Sequence, residues 1–146
     1  MKRVLDAGIQ PLVQVGIRSF SREEHEVIVA HGMDPFYDHR IDPGNFSWID
    51  EVLEALPEKV YLTVDLDGLD PSEMPGTGTP EPGGLSYRQL VRLIRAIGRQ
   101  KKVVAADVNE LAKIEGSQVS ETMAARVAEK IIVYCSWEGG TGGTSA

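Results

Sequence analysis

The stretch KVYLTVDLDGLDPSEMPGTGTPEPGGL (59–85) decides how this chain folds. Residues 59–67 are nearly all apolar between their ends, which suits a strand covered on both faces in a parallel sheet. From Gly68 to Gly84 the stretch holds five glycines and four prolines in 17 residues. A connection that long, without secondary structure of its own, is either functional or disordered. Where the two parts meet, Asp65 and Asp67 stand at i and i+2. On a continuing strand they project to the same side; if the strand ends sooner, the loop has to bring them together. Two carboxylates that close repel each other, and a divalent cation relieves the repulsion.

Outward from this stretch the chain alternates strand and helix patterns. PLVQVGI (11–17) is short, apolar and β-branched and reads as a strand. Ser21 with Glu24 forms a capping box that opens a helix, and Gly32 closes it. FYDHRI (36–41) reads as a short strand and Asp42-Pro43-Gly44 as a turn. SWIDEVLEAL (47–56) is a helix that the pattern opens with a second box, Ser47 to Asp50. SYRQLVRLIRAIGR (86–99) starts at Ser86 and Gln89, and Leu90, Leu93, Ile94 and Ile97 line one buried face. KVVAADV (102–108) is a strand, and SETMAARVAEKIIVY (120–134) is a helix with Met123, Val127 and Ile131 on one stripe. Trp48 is expected to pack on its helix face. The ending, 135–146, is rich in Gly, Ser and Thr and is expected to be a disordered tail. Alternating strands and helices predict an α/β class, a three-layer α/β/α arrangement around a mostly parallel sheet.

The 146 residues suffice for one domain with a core. A net charge of −7 argues against a nucleic-acid or anionic-membrane surface. No apolar run approaches the ~20 residues that span a bilayer. Cys135 is the only cysteine, which excludes an internal disulfide and zinc-thiolate sites. A cytoplasmic address is the resulting expectation.

In parallel α/β sheets ligands gather at the carboxyl ends of strands. Asp65 and Asp67 end one expected strand, Asp107 and Glu110 the next, and Arg18 the first. Arg18 is expected to pair with an acid at a chain interface, and Asp107 to fix a strand end. DLDGLD (65–70) resembles the Asp-x-Asp-Gly-Thr motif of haloacid-dehalogenase phosphatases, but Leu69 stands where that motif has Thr. It is not an EF-hand loop, because the third ligand position is Leu69.

The longer string TVDLDGLDPSEMPGTGTPEPGGL (63–85) closely resembles the signature of the ureohydrolases, the arginase and agmatinase enzymes. That signature couples Asp-x-Asp to Asp-Pro, Gly-Thr-Pro and Gly-Gly-Leu at fixed spacings. VQVGIRS (13–19) and ADVNEL (106–111) resemble further family segments. To about Tyr134 the chain is similar to the carboxyl-terminal half of these enzymes and looks more like an agmatinase than an arginase. The resemblance implies that Asp65 and Asp67 are metal ligands for a pair of manganese ions. It implies that Glu110 grips the substrate guanidinium, which a carboxylate does through a bidentate, charge-assisted pair. It implies that Thr79 lies near the substrate, on a loop whose glycines allow close approach.

The family's other ligands, a His after Gly-Gly-Asp and an Asp-x-His-x-Asp cluster, are absent from these 146 residues. His25, His31 and His39 read as surface or packing histidines. The resemblance implies that the main acid–base residues belong to the other half. The expected function is hydrolysis of a guanidino compound, agmatine first, to urea and an amine, once an amino-terminal half completes the site. The chain would be a truncated frame, a fragment or one part of a split protein. A non-catalytic remnant or assembly partner is the alternative, and a phosphatase the third. The partners expected are a guanidino substrate and either a second copy of the chain or the complementary half.

Overall fold

A computed structural model of the chain describes residues 2–136. In chain order it runs α1 (Lys2–Asp6), β1 (Val15–Ile17), α2 (Arg22–Ala30), β2 (Phe36–Tyr37), α3 (Ser47–Ala55), β3 (Lys59–Asp65), α4 (Tyr87–Gln100), β4 (Lys102–Asn109) and α5 (Val119–Cys135). A 3-10 turn follows β2 at Asp38–Arg40, and another follows β3 at Leu66–Gly68. Strand β1 pairs with β2 and β3 with β4, both in parallel. This is the α/β class with parallel strands that the sequence predicts.

Local chemistry sets most element boundaries. Ser21 and Glu24 cap α2 reciprocally, and Ser86 and Gln89 do the same for α4. Gly32, at φ +61, closes α2: its N–H reaches Val29 O, and the N–H of Met33 reaches Ile28 O. That double bond satisfies carbonyls the helix leaves open. The box expected at Ser47 and Asp50 does not form. Phe46 occupies the cap without a side-chain bond, and Asn45 Oδ1 takes the Ser47 N–H at 2.9 Å. Strand β1 is also shorter than expected. Its partner β2 has two residues, and the register shifts at Gly16, so the ladder has nothing further to pair with.

The core lies between one face of β3–β4 and the helices. Val60 and Val64 point into it, with Val52 and Leu53 of α3, Leu90, Leu93, Ile94 and Ile97 of α4, and Ala124, Val127 and Ile131 of α5. Trp48 is buried, as expected, while Met123 packs at the edge. Full burial of one such large aliphatic side chain contributes roughly 1.5–3 kcal/mol, so packing rather than intrinsic propensity holds the 14 residues of α4. Helices α4 and α5 approach closely at Gly98, where a Cβ would lie 2.2 Å from Tyr134 O.

The opposite face of β3–β4 is open among the described residues, in contrast to a strand buried on both sides. Tyr61 is 59% exposed there and Val104 57%. The register slips between Val60 and Tyr61, so that Val104 is an unpaired bulge residue. Asp107 lies on this face and accepts hydrogen bonds from the Tyr61 hydroxyl and, at 2.7 Å, from the Thr63 hydroxyl. Those bonds, the one from Tyr61 foremost, hold its carboxyl below the usual range. Asp107 is thus a clasp between strands. Helix α5 continues through Cys135. Ser136 follows as its cap, and the rest of the expected tail, 137–146, lies outside the described residues. No helix among the described residues is long and apolar enough to cross a membrane.

Candidate functional site

Strand β3 ends at Asp65, two residues before the sequence pattern suggests. The cause is Asp65 itself, whose Oδ1 accepts the N–H of Asp67 at 2.9 Å. That bond removes the N–H from the ladder and rolls the chain into the 3-10 turn. The turn, rather than a shared strand face, therefore brings the two acids together.

Asp67 is held on several sides. Its N–H goes to Asp65, its carbonyl oxygen accepts from Arg18 Nη2, and its Oδ2 accepts from the Thr79 hydroxyl. Its Oδ1 is buried and, like the Thr77 Oγ1 near it, has no partner within hydrogen-bond geometry, so Thr77 acts on the carboxyl as a neighbouring dipole. Burial pushes the Asp67 carboxyl upward. Thr79, Thr77, the Thr79 backbone and the Arg18 charge together outweigh that push, and the group rests below the ordinary carboxylate range.

The long loop is ordered around Asp70. Asp70 Oδ1 accepts from the N–H of Ser72 at 2.9 Å and from its hydroxyl, and Oδ2 accepts from the N–H groups of Gly83 at 2.9 Å and Gly84 at 3.3 Å. These bonds, the Ser72 hydroxyl first, bring its pKa down to about 2. Leu69 and Leu85 bridge alongside, and Met74 is fully buried beneath. Glu73 Oε2 takes the Tyr87 N–H at 2.7 Å, tying the loop to α4. Gly76 donates to Ser120 Oγ at 2.9 Å and accepts from the Ala112 N–H at 2.8 Å. A Cβ at Gly76 would lie 2.4 Å from both Ala112 O and Ser120 Oγ, so only glycine fits.

Glu110 follows β4 at φ +62, a left-handed conformation that residues with side chains rarely adopt. Its Oε2 would lie 3.2 Å from a Cβ built on Gly78. Gly78 precedes Thr79, and Thr79 bonds Asp67. Asp65 pairs in register with Asn109, the neighbour of Glu110. Asp65, Asp67, Thr79 and Glu110 thus converge at the carboxyl ends of β3 and β4.

Within the chain Arg18 meets main-chain carbonyls: Nη1 donates to Gly68 O at 3.1 Å and Nη2 to Asp67 O. Sequence reasoning missed this contact and the part played by Thr77, since neither has a local signature, whereas the close approach at Gly78 was expected of the loop's glycines. The three histidines have partners of their own. His25 stacks on Phe20 and His39 on Tyr37, each with ring centroids 5.7 Å apart, while His31 Nδ1 lies 2.9 Å from Val27 O.

Among the described residues no three His, Cys, Asp or Glu side chains are grouped to hold a metal ion. The donors present do fit part of such a site. A buried carboxylate oxygen without a partner calls for a cation or a donor, and all-oxygen ligands suit manganese.

A family model described as the arginase family matches residues 1–134. The chain is 50% identical over 109 residues to the N(1)-aminopropylagmatine ureohydrolase of Thermus thermophilus (strain ATCC BAA-163), covering 75% of this chain and 36% of that protein. It is 38% identical over 135 residues to the Synechocystis protein of the same name, covering 92% and 44%. In structure it is similar to the agmatine ureohydrolase of Thermoplasma volcanium, with a TM-score of 0.79 and 30% identity over 92% of this chain and 46% of that one. The chain spans less than half the length of each of these relatives.

Proposed function

The chain belongs to the arginase family, and from that premise we propose that the ends of β3 and β4 form part of a manganese-dependent ureohydrolase site. The reaction would split a guanidino compound into urea and an amine. One observation carries the reading: every polar atom of Asp67 is engaged except a buried Oδ1, and Glu110 stands across Gly78 from it. Family membership displaces the phosphatase alternative.

In this reading Asp65 and Asp67 hold manganese, through the carboxylate oxygens left free by the turn. When bound, the metal pair lowers the pKa of water, supplies a nucleophile near neutral pH and offsets negative charge in the transition state. Glu110 receives the guanidinium, and the left-handed backbone at its Cα sets the carboxylate against Gly78. Thr79 keeps Asp67 in one orientation. A Cβ at Gly78 would press on the Glu110 carboxylate at 3.2 Å. No described residue is assigned the proton transfer to the leaving amine.

The substrate proposed is of the agmatine type, either agmatine itself or the aminopropyl-substituted agmatine for which the two bacterial relatives are named. The remaining ligands, of the Asp-x-His-x-Asp kind, would come from residues outside this sequence, and the assembled protein would act in the cytoplasm. A second reading, a non-catalytic assembly partner, is favoured by the exposed Tyr61 and Val104 on the open sheet face.

Urea release with manganese tests the proposal on both substrates, with the chain alone and with it mixed with a polypeptide carrying the Asp-x-His-x-Asp segment. Activity is expected only in the mixture. A mixture that assembles yet stays inert sinks the ureohydrolase reading and leaves the assembly partner.

A further inference from the structure

Asp67 sits on a turn that its own sequence does not fix. The turn ends at Gly68, which has no Cβ and so places little steric limit on the backbone. Its internal bonds are the Asp65 cap on the Asp67 N–H and the N–H of Leu69 to Leu66 O, at 3.1 Å. The second bond orients the Gly68–Leu69 peptide plane, but the carbonyls of Asp67 and Gly68 accept nothing from within the turn. What holds those two carbonyls therefore bears on the backbone from which the Asp67 side chain starts.

A further hold on these carbonyls comes from a distant strand. Arg18 follows β1 directly, some 50 residues earlier in the chain, and its side chain is half-buried. Its two terminal nitrogens take the successive carbonyls of Asp67 and Gly68. The Gly68 carbonyl also accepts from the Leu85 N–H at 3.0 Å, so the same oxygen joins β1, the turn and the end of the long loop. Only a planar guanidinium presents two donors at that fixed spacing; a lysine presents a single mobile ammonium.

We propose that Arg18 is a positioning residue for the metal-ligating carboxylate: its fork locks the carbonyls of Asp67 and Gly68 and so aims Asp67 Oδ1. Arg18 touches neither substrate nor metal in this assignment, which rests on the reading of Asp65 and Asp67 as manganese ligands. Position and charge make different demands. If only the positive charge near Asp67 mattered, lysine would serve. If the fork matters, lysine fails nearly as badly as a neutral residue.

The test uses the full 146-residue chain as wild type, Arg18→Lys and Arg18→Gln, isotope-labelled for NMR. Without metal, both variants are expected to speed amide hydrogen exchange at Asp67 and Leu69 by about tenfold or more, while Ile94 and Val127 in the core stay unchanged. With added Mn2+, the paramagnetic ion should broaden the amides of Asp65–Gly68 and Thr79 in the wild type. Half-broadening in both variants should need about tenfold more metal, the usual penalty for loosening what orients a ligand. Exchange at the turn equal in all three proteins overturns the proposal. So does Arg18→Lys matching the wild type in metal response, because the role is then one of charge. A wild type whose amides ignore Mn2+ overturns the ligand reading beneath it, and with it the role given to Arg18.

Discussion

Thr79 and Asp67, twelve residues apart, are joined by a hydrogen bond from the threonine hydroxyl to Asp67 Oδ2. The bond spans the whole loop between the turn after β3 and the Gly-Thr-Pro segment. It leaves the other carboxylate oxygen alone in a buried position. Thr79→Val keeps the shape and removes the donor, so Mn2+ affinity, expected to be weaker than micromolar in this chain, should fall about tenfold. Thr79→Ser should restore it. Electron paramagnetic resonance of free Mn2+ measures both, and a valine variant with unchanged affinity would show that the bond does not orient the ligand.

Glu110 and Asp67 should separate in kinetics once the site is assembled with its missing ligands. Asp67→Asn should abolish turnover. Glu110→Gln should chiefly raise KM for a guanidino substrate, because an amide cannot form the charge-assisted pair. Steady-state urea assays distinguish the two, and a Glu110→Gln effect confined to kcat counts against substrate capture.

Asp70 makes the loop sensitive to acid. Its folded pKa of about 2 lies below the value near 3.9 of an unfolded aspartate. The stability it contributes is therefore fully present above about pH 4 and is lost as pH falls through about 2. Amide shifts of Gly83 and Gly84 should move together in that window, and Asp70→Asn should flatten the transition. Shifts that stay constant down to pH 2 would remove Asp70 from that role.

Gly98→Ala should loosen the α4–α5 contact. The added Cβ would meet Tyr134 O at 2.2 Å, and backbone cannot rotate away as a side chain does. Overpacking of this kind costs about 1–3 kcal/mol, more than the gain of at most about 1 kcal/mol from replacing a helical glycine. Urea denaturation should show a net loss, and an alanine variant as stable as the wild type would mean that the helices can part freely.

The open face of β3–β4 should drive association. Tyr61 and Val104 are exposed beside strand edges that are unpaired among the described residues, and such edges recruit other chains. Sedimentation at micromolar concentration should reveal oligomers, and Val104→Lys should reduce them. A stable wild-type monomer would argue that this face needs no cover.

Much of this was legible in the sequence where the physics is local. The boxes at Ser21 and Ser86 and the stripe of Leu90, Leu93, Ile94 and Ile97 appear in the structure as read. The box at Ser47 fails because Asn45 competes for the same N–H, and the letters alone do not show which oxygen wins. The end of β3 was misplaced for a similar reason: Asp-x-Asp is visible, but not that the first aspartate will cap the second. Arg18 on the carbonyls of Asp67 and Gly68, and Glu110 against Gly78, join distant segments, so no local pattern announces them.

The contact between Gly76 and Ser120 crosses 44 positions of sequence. During synthesis the loop that carries Thr79 leaves the ribosome well before the first turn of α5. Until that helix emerges, Gly76 has no hydroxyl to meet. The segment joining the two acids to Thr79 therefore takes its final shape late, after the elements on either side of it. A nascent chain halted short of Ser120 would carry both aspartates without the framework that aims them.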